Sequence, residues 1–251
     1  MPDCSSSSEP LHSPDPGPSS EQTSNDEKKF VVHLAKGVAV DLVYVPLDYI
    51  TKDRLVERNH FTIGRSIGPL VVWKTPVNWI EFEAIMGYVS MPHLISPREH
   101  IALGSPVWNV SWYEAVVFCN KLSDCQGIEN AYILSEEKGD LPENSFEAQV
   151  EWRVRSRGYR LPNHLEWAYL CRGRDSVENM LQVPFSSKDS RDGESTFGLE
   201  HMLRNGKEWV WDLMVNNERI VCAESGSTSY APDYYANDLG FRVVRSLPPD
   251  Q

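Results

Sequence analysis

Cysteine and histidine could hold a metal ion in this 251-residue chain, which contains five cysteines and seven histidines. No two histidines lie four residues apart, so the sequence does not predict the helical histidine pair of a three-histidine iron site. Cys119 and Cys171 have apolar neighbours at helical spacing, which predicts buried structural thiols rather than ligands. Cys222 is the single cysteine between Asp212 and Gly240.

The segment 225–238 could bind a ligand, because it is dominated by Ser, Tyr, Asn and Asp. Tyrosine gives rigid amphipathic contact area, and small polar residues give adaptable hydrogen bonds. The alternative is a solvated loop with a few packed tyrosines. The predicted ligand-binding residues are Ser227, Ser229, Tyr230, Asp233, Tyr234, Tyr235, Asn237 and Asp238.

Several other chemistries lack their sequence signals. Residues 64–68 contain two glycines but not the lysine or the strand-loop-helix context of a phosphate-binding loop. No Ser, His and Asp occur with a nucleophile elbow, and no paired carboxylates stand out. The formal net charge of −12 argues against a nucleic-acid partner. The arginines between 153 and 160 are therefore expected on a solvated or salt-bridged face.

The elements that would position these residues are visible in the local patterns. Three helices are predicted where a small polar residue is followed three places later by Glu. These boxes are Asn78 with Glu81, Ser111 with Glu114, and Asn163 with Glu166. Gly87 is expected to end the first helix. Residues 38–45 predict a strand, and residues 122–157 and 172–219 predict long loops held by tryptophans.

The chain divides into three parts by composition. Residues 1–29 form an acidic Ser/Pro-rich tail with almost no large apolar side chains, which predicts disorder. Residues 30–247 predict one α+β domain, and residues 248–251 a short C-terminal tail. No signal peptide and no membrane span are recognised, so a cytoplasmic location is expected. The oligomeric state is left open.

Five blocks, taken together, resemble the formylglycine-generating enzyme (sulfatase-modifying factor) family in order and spacing. They lie at 43–87, 106–123 (beginning PVWNVSWYEA), 158–168 (GYRLP, then EWA), 197–212 (ending EWVWD) and 239–245 (LGFRVVR). The resemblance implies that family's variant of the C-type lectin fold, with few short helices and strands and much irregular loop.

The resemblance also implies two metals to look for. The family's oxidases hold copper(I) between two cysteines placed before the final Gly-Phe-Arg block, where this chain has only Cys222. Copper and a catalytic Cys222 are therefore expected only if the chain is an oxidase with divergent ligands. Family members also hold structural calcium, which would place Glu208 with the carbonyls of Arg204 and Gly206. His201 stands where an oxygen ligand to the calcium is expected. The alternative to calcium binding is that the Glu208 carboxylate accepts hydrogen bonds from loop amides.

Our leading sequence-based hypothesis is a non-catalytic family member that binds a protein or peptide through segment 225–238. The first alternative is an oxidase of a protein cysteine with divergent metal ligation. The second is a receptor diversified by a retroelement, since Tyr, Asn and Asp are among the residues that adenine mutation of an Asn codon gives.

Overall fold

The computed structural model describes residues 30–46, 48–49, 66–88, 105–136, 148–172, 195, 197–202, 206–214, 216–223 and 225–248. The predicted tail 1–29 and residues 249–251 lie outside these ranges, so the predicted domain boundaries stay predictions.

Three α-helices lie in the described ranges, and each begins at a predicted capping box. They are α1 (Trp79–Met86), α2 (Trp112–Cys125) and α3 (His164–Arg172). At each start the N-cap side chain accepts a hydrogen bond from the Glu backbone, and the Glu carboxylate accepts one in return. Gly87 ends α1 with a φ of 82°, as predicted. Capping thus fixes where each helix starts.

The strands of the described residues are short and numerous. In chain order they are β1 (Phe30–His33), β2 (Ala39–Val45), β3 (Asp48–Tyr49), β4 (Ser66–Ile67), β5 (Leu70–Trp73), β6 (Tyr132–Glu136), β7 (Ala148–Trp152), β8 (Tyr159–Arg160), β9 (Lys207–Leu213), β10 (Arg219–Ala223), β11 (Gly226–Tyr230), β12 (Leu239–Phe241) and β13 (Val244–Ser246). The strand predicted at 38–45 is β2, so that prediction is confirmed.

The strands form two main sheets. An antiparallel sheet has the order β1-β2-β5-β13-β8. A second sheet has the order β11-β10-β9-β12, in which β12 runs parallel to β9 and Gly240 pairs with Glu208. Two further antiparallel pairs, β3–β4 and β6–β7, lie outside these sheets. The architecture is α+β, as predicted.

The long loops predicted at 122–157 and 172–219 are partly wrong. The first contains the β6–β7 hairpin, and the second contains β9. Residues Glu208 to Val210 of β9 are all buried, so the strand lacks the alternation of polar and apolar residues that announces a half-buried strand. Of the two environments predicted for the arginines between 153 and 160, Arg160 has the salt-bridged one: it is 3% exposed and ion-paired with Glu166 at 2.6 Å.

The main core is aromatic and lies where α1, α2 and β12 meet. Phe82 and Phe118 stack with ring centroids 5.8 Å apart, and Phe241 packs edge-on against both. A second core lies under α3, around Trp167 and Cys222. Cys119 and Cys171 are buried, as predicted. Of the helices in the described ranges, none has the length and apolar content needed to cross a bilayer.

Two tryptophans tie helix α2 to the second sheet. The indole Nε1 of Trp112 donates to the carbonyl of Val210 at 3.0 Å, and that of Trp209 donates to the carbonyl of Val110 at 2.8 Å. Both rings are fully buried. Trp209 lies in β9 and not in a loop, and it anchors the segment before α2 to that strand.

Candidate ligand-binding site

The predicted ligand-binding residues lie along β11 and the turn that follows it. Strand β11 is at the edge of the second sheet, and its pairing with β10 sets Ser227 opposite Cys222 and Tyr230 opposite Arg219. Residues 231–238 then return the chain to β12. We call β11 together with residues 231–238 the C-terminal surface. All eight predicted ligand-binding residues lie within the C-terminal surface.

The turn is held against the start of α2 by backbone hydrogen bonds. The Trp112 amide donates to the carbonyl of Pro232 at 3.0 Å, and the Asn109 amide donates to that of Ala236 at 3.0 Å. The Tyr234 amide closes a turn onto Ala231 at 2.9 Å. Because its backbone is bonded at these points, the turn is ordered before any ligand arrives, which lowers the entropy lost on binding.

A tyrosine stack forms the centre of the C-terminal surface. The rings of Tyr230 and Tyr234 are 4.3 Å apart and nearly parallel, and Lys207 lies 5.8 Å from the Tyr230 centroid. The Lys207 ammonium is 3.1 Å from Asp238, and this hydrogen bond raises the pKa of the lysine. Packed tyrosines were the predicted alternative to a binding loop, yet Tyr234 keeps 41% of its surface exposed.

Two further tyrosines meet the carboxylate that caps α2. Tyr88 donates to Oε1 of Glu114 at 3.0 Å, while Oε2 of Glu114 accepts from the amide and hydroxyl of Ser111. Burial raises the pKa of the Tyr235 phenol, with a smaller contribution from the charge of Glu114. Tyr88 and Tyr235 remain 44% and 48% exposed. The sequence pattern gave no reason to group Tyr88 and Glu114 with residues 225–238.

The serines of β11 have different partners. Ser229 donates to Oε2 of Glu218 at 2.6 Å. The hydroxyl of Ser227 is 2.8 Å from Nε2 of His164 and 3.7 Å from the Cys222 thiol. Asp233 and Asn237 are exposed in the turn. Ser227 therefore belongs to a second, more polar cluster at the far end of the strand, which sequence reasoning missed because residue 164 comes from α3.

Arg219 is a further residue that the sequence did not single out. Its guanidinium carbon lies 3.7 Å from the Trp112 ring centroid and 5.0 Å from that of Trp211. It also donates to the carbonyl of Trp211 at 2.9 Å. Burial lowers its pKa to about 10. The cation therefore links β10 to α2 beneath the C-terminal surface by stacking.

Comparison with known proteins identifies the domain. The family model described as "Sulfatase-modifying factor enzyme 1-like domain" matches residues 53–182. The chain belongs to this family. The family resemblance read from the sequence is confirmed.

Solved structures share the fold of this sulfatase-modifying-factor-like domain. "Treponema denticola variable protein 1" is 18% identical, with a TM-score of 0.63 over 88% of this chain and 99% of that one. CarF is 18% identical, with a TM-score of 0.59 over 83% and 99%. PvdO from Pseudomonas aeruginosa is 15% identical, with a TM-score of 0.54 over 87% and 98%. At these identities the likeness shows the fold alone.

One curated relative is named as a chaperone protein and not as a sulfatase-modifying factor. "Chaperone protein LppX" of Paenibacillus barcinonensis is 26% identical over 142 residues. The match covers 54% of this chain and 46% of the relative, so the chain spans less than half of that protein's length.

The residues present do not fit the family's copper site. Copper(I) requires two thiolates, and Cys222 is the single cysteine between Asp212 and Gly240. Its side chain is fully buried, and burial raises the pKa of the thiol well above its usual range. A thiol kept protonated is a poor ligand.

The residues around Glu208 do not fit calcium either. The carboxylate accepts hydrogen bonds from the Trp167 indole at 2.7 Å and from the Arg242 guanidinium at 3.1 Å. Arg242 is fully buried and supplies the positive charge that an ion would bring. The partners of Glu208 are therefore side chains, whereas the alternative prediction to calcium was hydrogen bonding to loop amides. Arg204, named with the predicted calcium carbonyls, lies outside the described residues.

Proposed function

We propose that this domain binds a protein or peptide ligand through the C-terminal surface and does not oxidise cysteine to formylglycine. The observation that carries the proposal is a set of three positioned tyrosines: Tyr230 on the edge strand β11, and Tyr234 and Tyr235 in the turn that follows it. The rings are held by stacking and hydrogen bonds while Tyr234 and Tyr235 keep close to half of their surface exposed. Exposed, immobilised tyrosines lose little entropy on binding, which is why they dominate binding surfaces.

The position of β11 supports a peptide as the ligand. It is the edge of the second sheet, and its outward-facing backbone groups have no partner strand within the described sheet. An extended peptide can add to such an edge through main-chain hydrogen bonds, with side-chain contacts giving selectivity. The exposed Ser227 and Thr228 leave room for an incoming strand. The Paenibacillus relative is named a chaperone protein, which is consistent with a role in polypeptide binding.

The absence of a fitting copper site supports the second half of the proposal. The enzymes of this family need paired thiolates, whereas this chain offers one buried thiol in that segment. Incubating the purified chain with copper, O₂ and a sulfatase Cys-x-Pro-x-Arg peptide is expected to leave the peptide mass unchanged. Formation of formylglycine, lost on Cys222→Ala, would instead establish the oxidase alternative.

Binding can be tested with a phage-displayed library of random dodecapeptides. Wild-type protein is expected to enrich a set of sequences at least about tenfold over a Tyr234→Ser/Tyr235→Ser double variant, since hot-spot tyrosines dominate affinity. Val154→Ser is the matched control, because Val154 is an exposed apolar residue (72%) that is not part of the C-terminal surface. Equal enrichment on all three proteins would contradict the proposal.

A further inference from the structure

The polar cluster at the far end of β11 has the components of a nucleophilic centre. The Ser227 hydroxyl lies 2.8 Å from Nε2 of His164. The Asp212 carboxylate accepts the backbone N–H of His164 and is near enough that each group shifts the other's titration. A serine and an imidazole base are the pair that acyl transfer by a serine requires, and a nearby carboxylate stabilises the charge that the imidazole gains.

Three elements hold these groups in place. Ser227 is on β11, opposite the buried Cys222 of β10. His164 is the first residue of α3, directly after the N-cap Asn163, whose box with Glu166 fixes the start of the helix. Asp212 lies on β9, the neighbour of β10. Sheet pairing and helix capping therefore set the distance between the hydroxyl and the imidazole without a flexible loop.

The surroundings keep the imidazole in the form that can accept a proton. Burial lowers the pKa of His164, and the charge of Asp212 opposes this only in part. Burial also raises the pKa of Asp212, with Glu166 of α3 adding to the rise. Cys222 of β10 faces the cluster as a protonated thiol, because burial raises its pKa. A neutral histidine beside an exposed serine is the state required of a general base at neutral pH.

We propose that Ser227 is a nucleophile activated by His164, with Asp212 as the positioning residue, and that this centre accepts acyl groups from carboxylic esters. The chemistry needs none of the tyrosines, although Ser227 itself lies on β11, within the C-terminal surface.

The chemical steps balance with water as the second substrate. Ser227 Oγ forms a bond to the ester carbonyl carbon while Nε2 of His164 takes the hydroxyl proton. The ester C–O bond then breaks, and the leaving alcohol receives that proton. Water then loses a proton to the same imidazole and attacks the acyl carbon. The bond between that carbon and Ser227 Oγ breaks, His164 returns the proton to Oγ, and the carboxylic acid leaves.

A fluorophosphonate probe that reacts with activated serines tests the proposal on the full chain. Mass mapping of the wild-type protein at neutral pH is expected to place the probe on Ser227, at least about 100-fold faster than in urea. Ser135 is the internal control, because its exposed hydroxyl bonds to the carbonyl of Gln149 and not to a base. Labelling of Ser227 no faster than Ser135 would overturn the proposal without any variant.

Two variants test the roles of the partners. His164→Gln is expected to slow Ser227 labelling by about 100-fold, and unchanged labelling would show that His164 is not the base.

Asp212→Asn retains an oxygen for the His164 amide but removes the charge. It is expected to move the pH midpoint of labelling downwards, because a lost anion lowers the pKa of His164 further. An unmoved midpoint would remove Asp212 from the proposal. Hydrolysis of p-nitrophenyl acetate, lost in Ser227→Ala, measures turnover independently of the peptide selection.

Discussion

The guanidinium of Arg242 lies 3.1 Å from Oε1 of Glu208, and both side chains are buried. The same guanidinium donates to the backbone carbonyls of Trp73, Lys74 and Glu200. One side chain therefore joins β5, β9 and the loop at residue 200. Arg242 and Glu208 come from the Gly-Phe-Arg and Glu-Trp blocks that carry the family resemblance, so these blocks have a structural role here.

Arg242→Met is expected to destabilise the domain by about 3–5 kcal/mol, because it leaves the Glu208 carboxylate buried and unpaired. Urea unfolding followed by tryptophan fluorescence would measure the change. Arg153→Ala is the control: its pair with Glu129 is solvent-exposed, and its loss should change the free energy of unfolding by less than about 0.5 kcal/mol. Equal effects of the two substitutions would contradict the structural role of Arg242.

Glu81 should make the domain less stable as the pH rises. Burial in the first turn of α1 raises its pKa from 4.5 to about 7, against the opposing hydrogen bonds of Asn78. A carboxyl with a raised pKa holds its proton longer in the native state, so its contribution is present below 4.5 and lost as the pH rises through about 7. Glu81→Gln keeps the capping acceptor and is expected to stabilise the domain at about pH 8 by about 1 kcal/mol or more. Thermal unfolding at about pH 5 and pH 8 checks this, with Glu83→Gln as the exposed control.

Gly240→Ala is expected to destabilise the domain by about 1–3 kcal/mol, the range for forcing extra atoms into a packed interior. A Cβ at this position would collide with the carbonyl oxygen of Val107 and come 3.3 Å from the Trp108 ring. Gly198→Ala is the comparison, because a Cβ there meets no atom within 4 Å and only its φ of 75° opposes the change. Denaturant midpoints of the two variants would show the larger loss at position 240.

The thiols should differ sharply in reactivity. Cys125 is exposed, whereas Cys119, Cys171 and Cys222 are buried. Burial also raises the pKa of Cys119 and Cys222 well above the usual range, which leaves almost no thiolate. Iodoacetamide is expected to modify Cys125 in the folded protein and the three buried cysteines only after unfolding, as read by peptide mass mapping. Rapid alkylation of Cys222 in the folded state would reopen metal ligation at that residue.

Local signals predicted the elements whose causes are local. The three helix starts were read from capping boxes, because each box is closed between residues three apart. The stop at Gly87 was read for the same reason. Strand β9 was missed because burial on both faces erases alternation. The salt bridge of Arg160 was predicted without its partner, because Glu166 becomes a neighbour only when α3 forms.

In the candidate sites, too, the residues that are close in sequence were predicted and those brought together by tertiary packing were not. The composition of 225–238 indicated a binding surface, and these residues form the edge strand β11 and the segment that connects it to β12. The carboxylate of Glu114 beneath Tyr235 and the imidazole of His164 beside Ser227 come from distant helices. No spacing rule could join them, since their proximity is a product of tertiary packing.

Strands β12 and β13 come late in the chain, yet both lie against strands made much earlier. Strand β13 lies between β5 and β8, and β12 pairs with β9. During synthesis, the backbone groups of β5, β8 and β9 that pair with β12 and β13 therefore stay unpaired until residues 239–246 have left the ribosome. Open edges recruit strands from other chains, so a nascent chain stalled before residue 239 is expected to aggregate or to need a chaperone. Release of this short segment is the step that commits the domain to its final form.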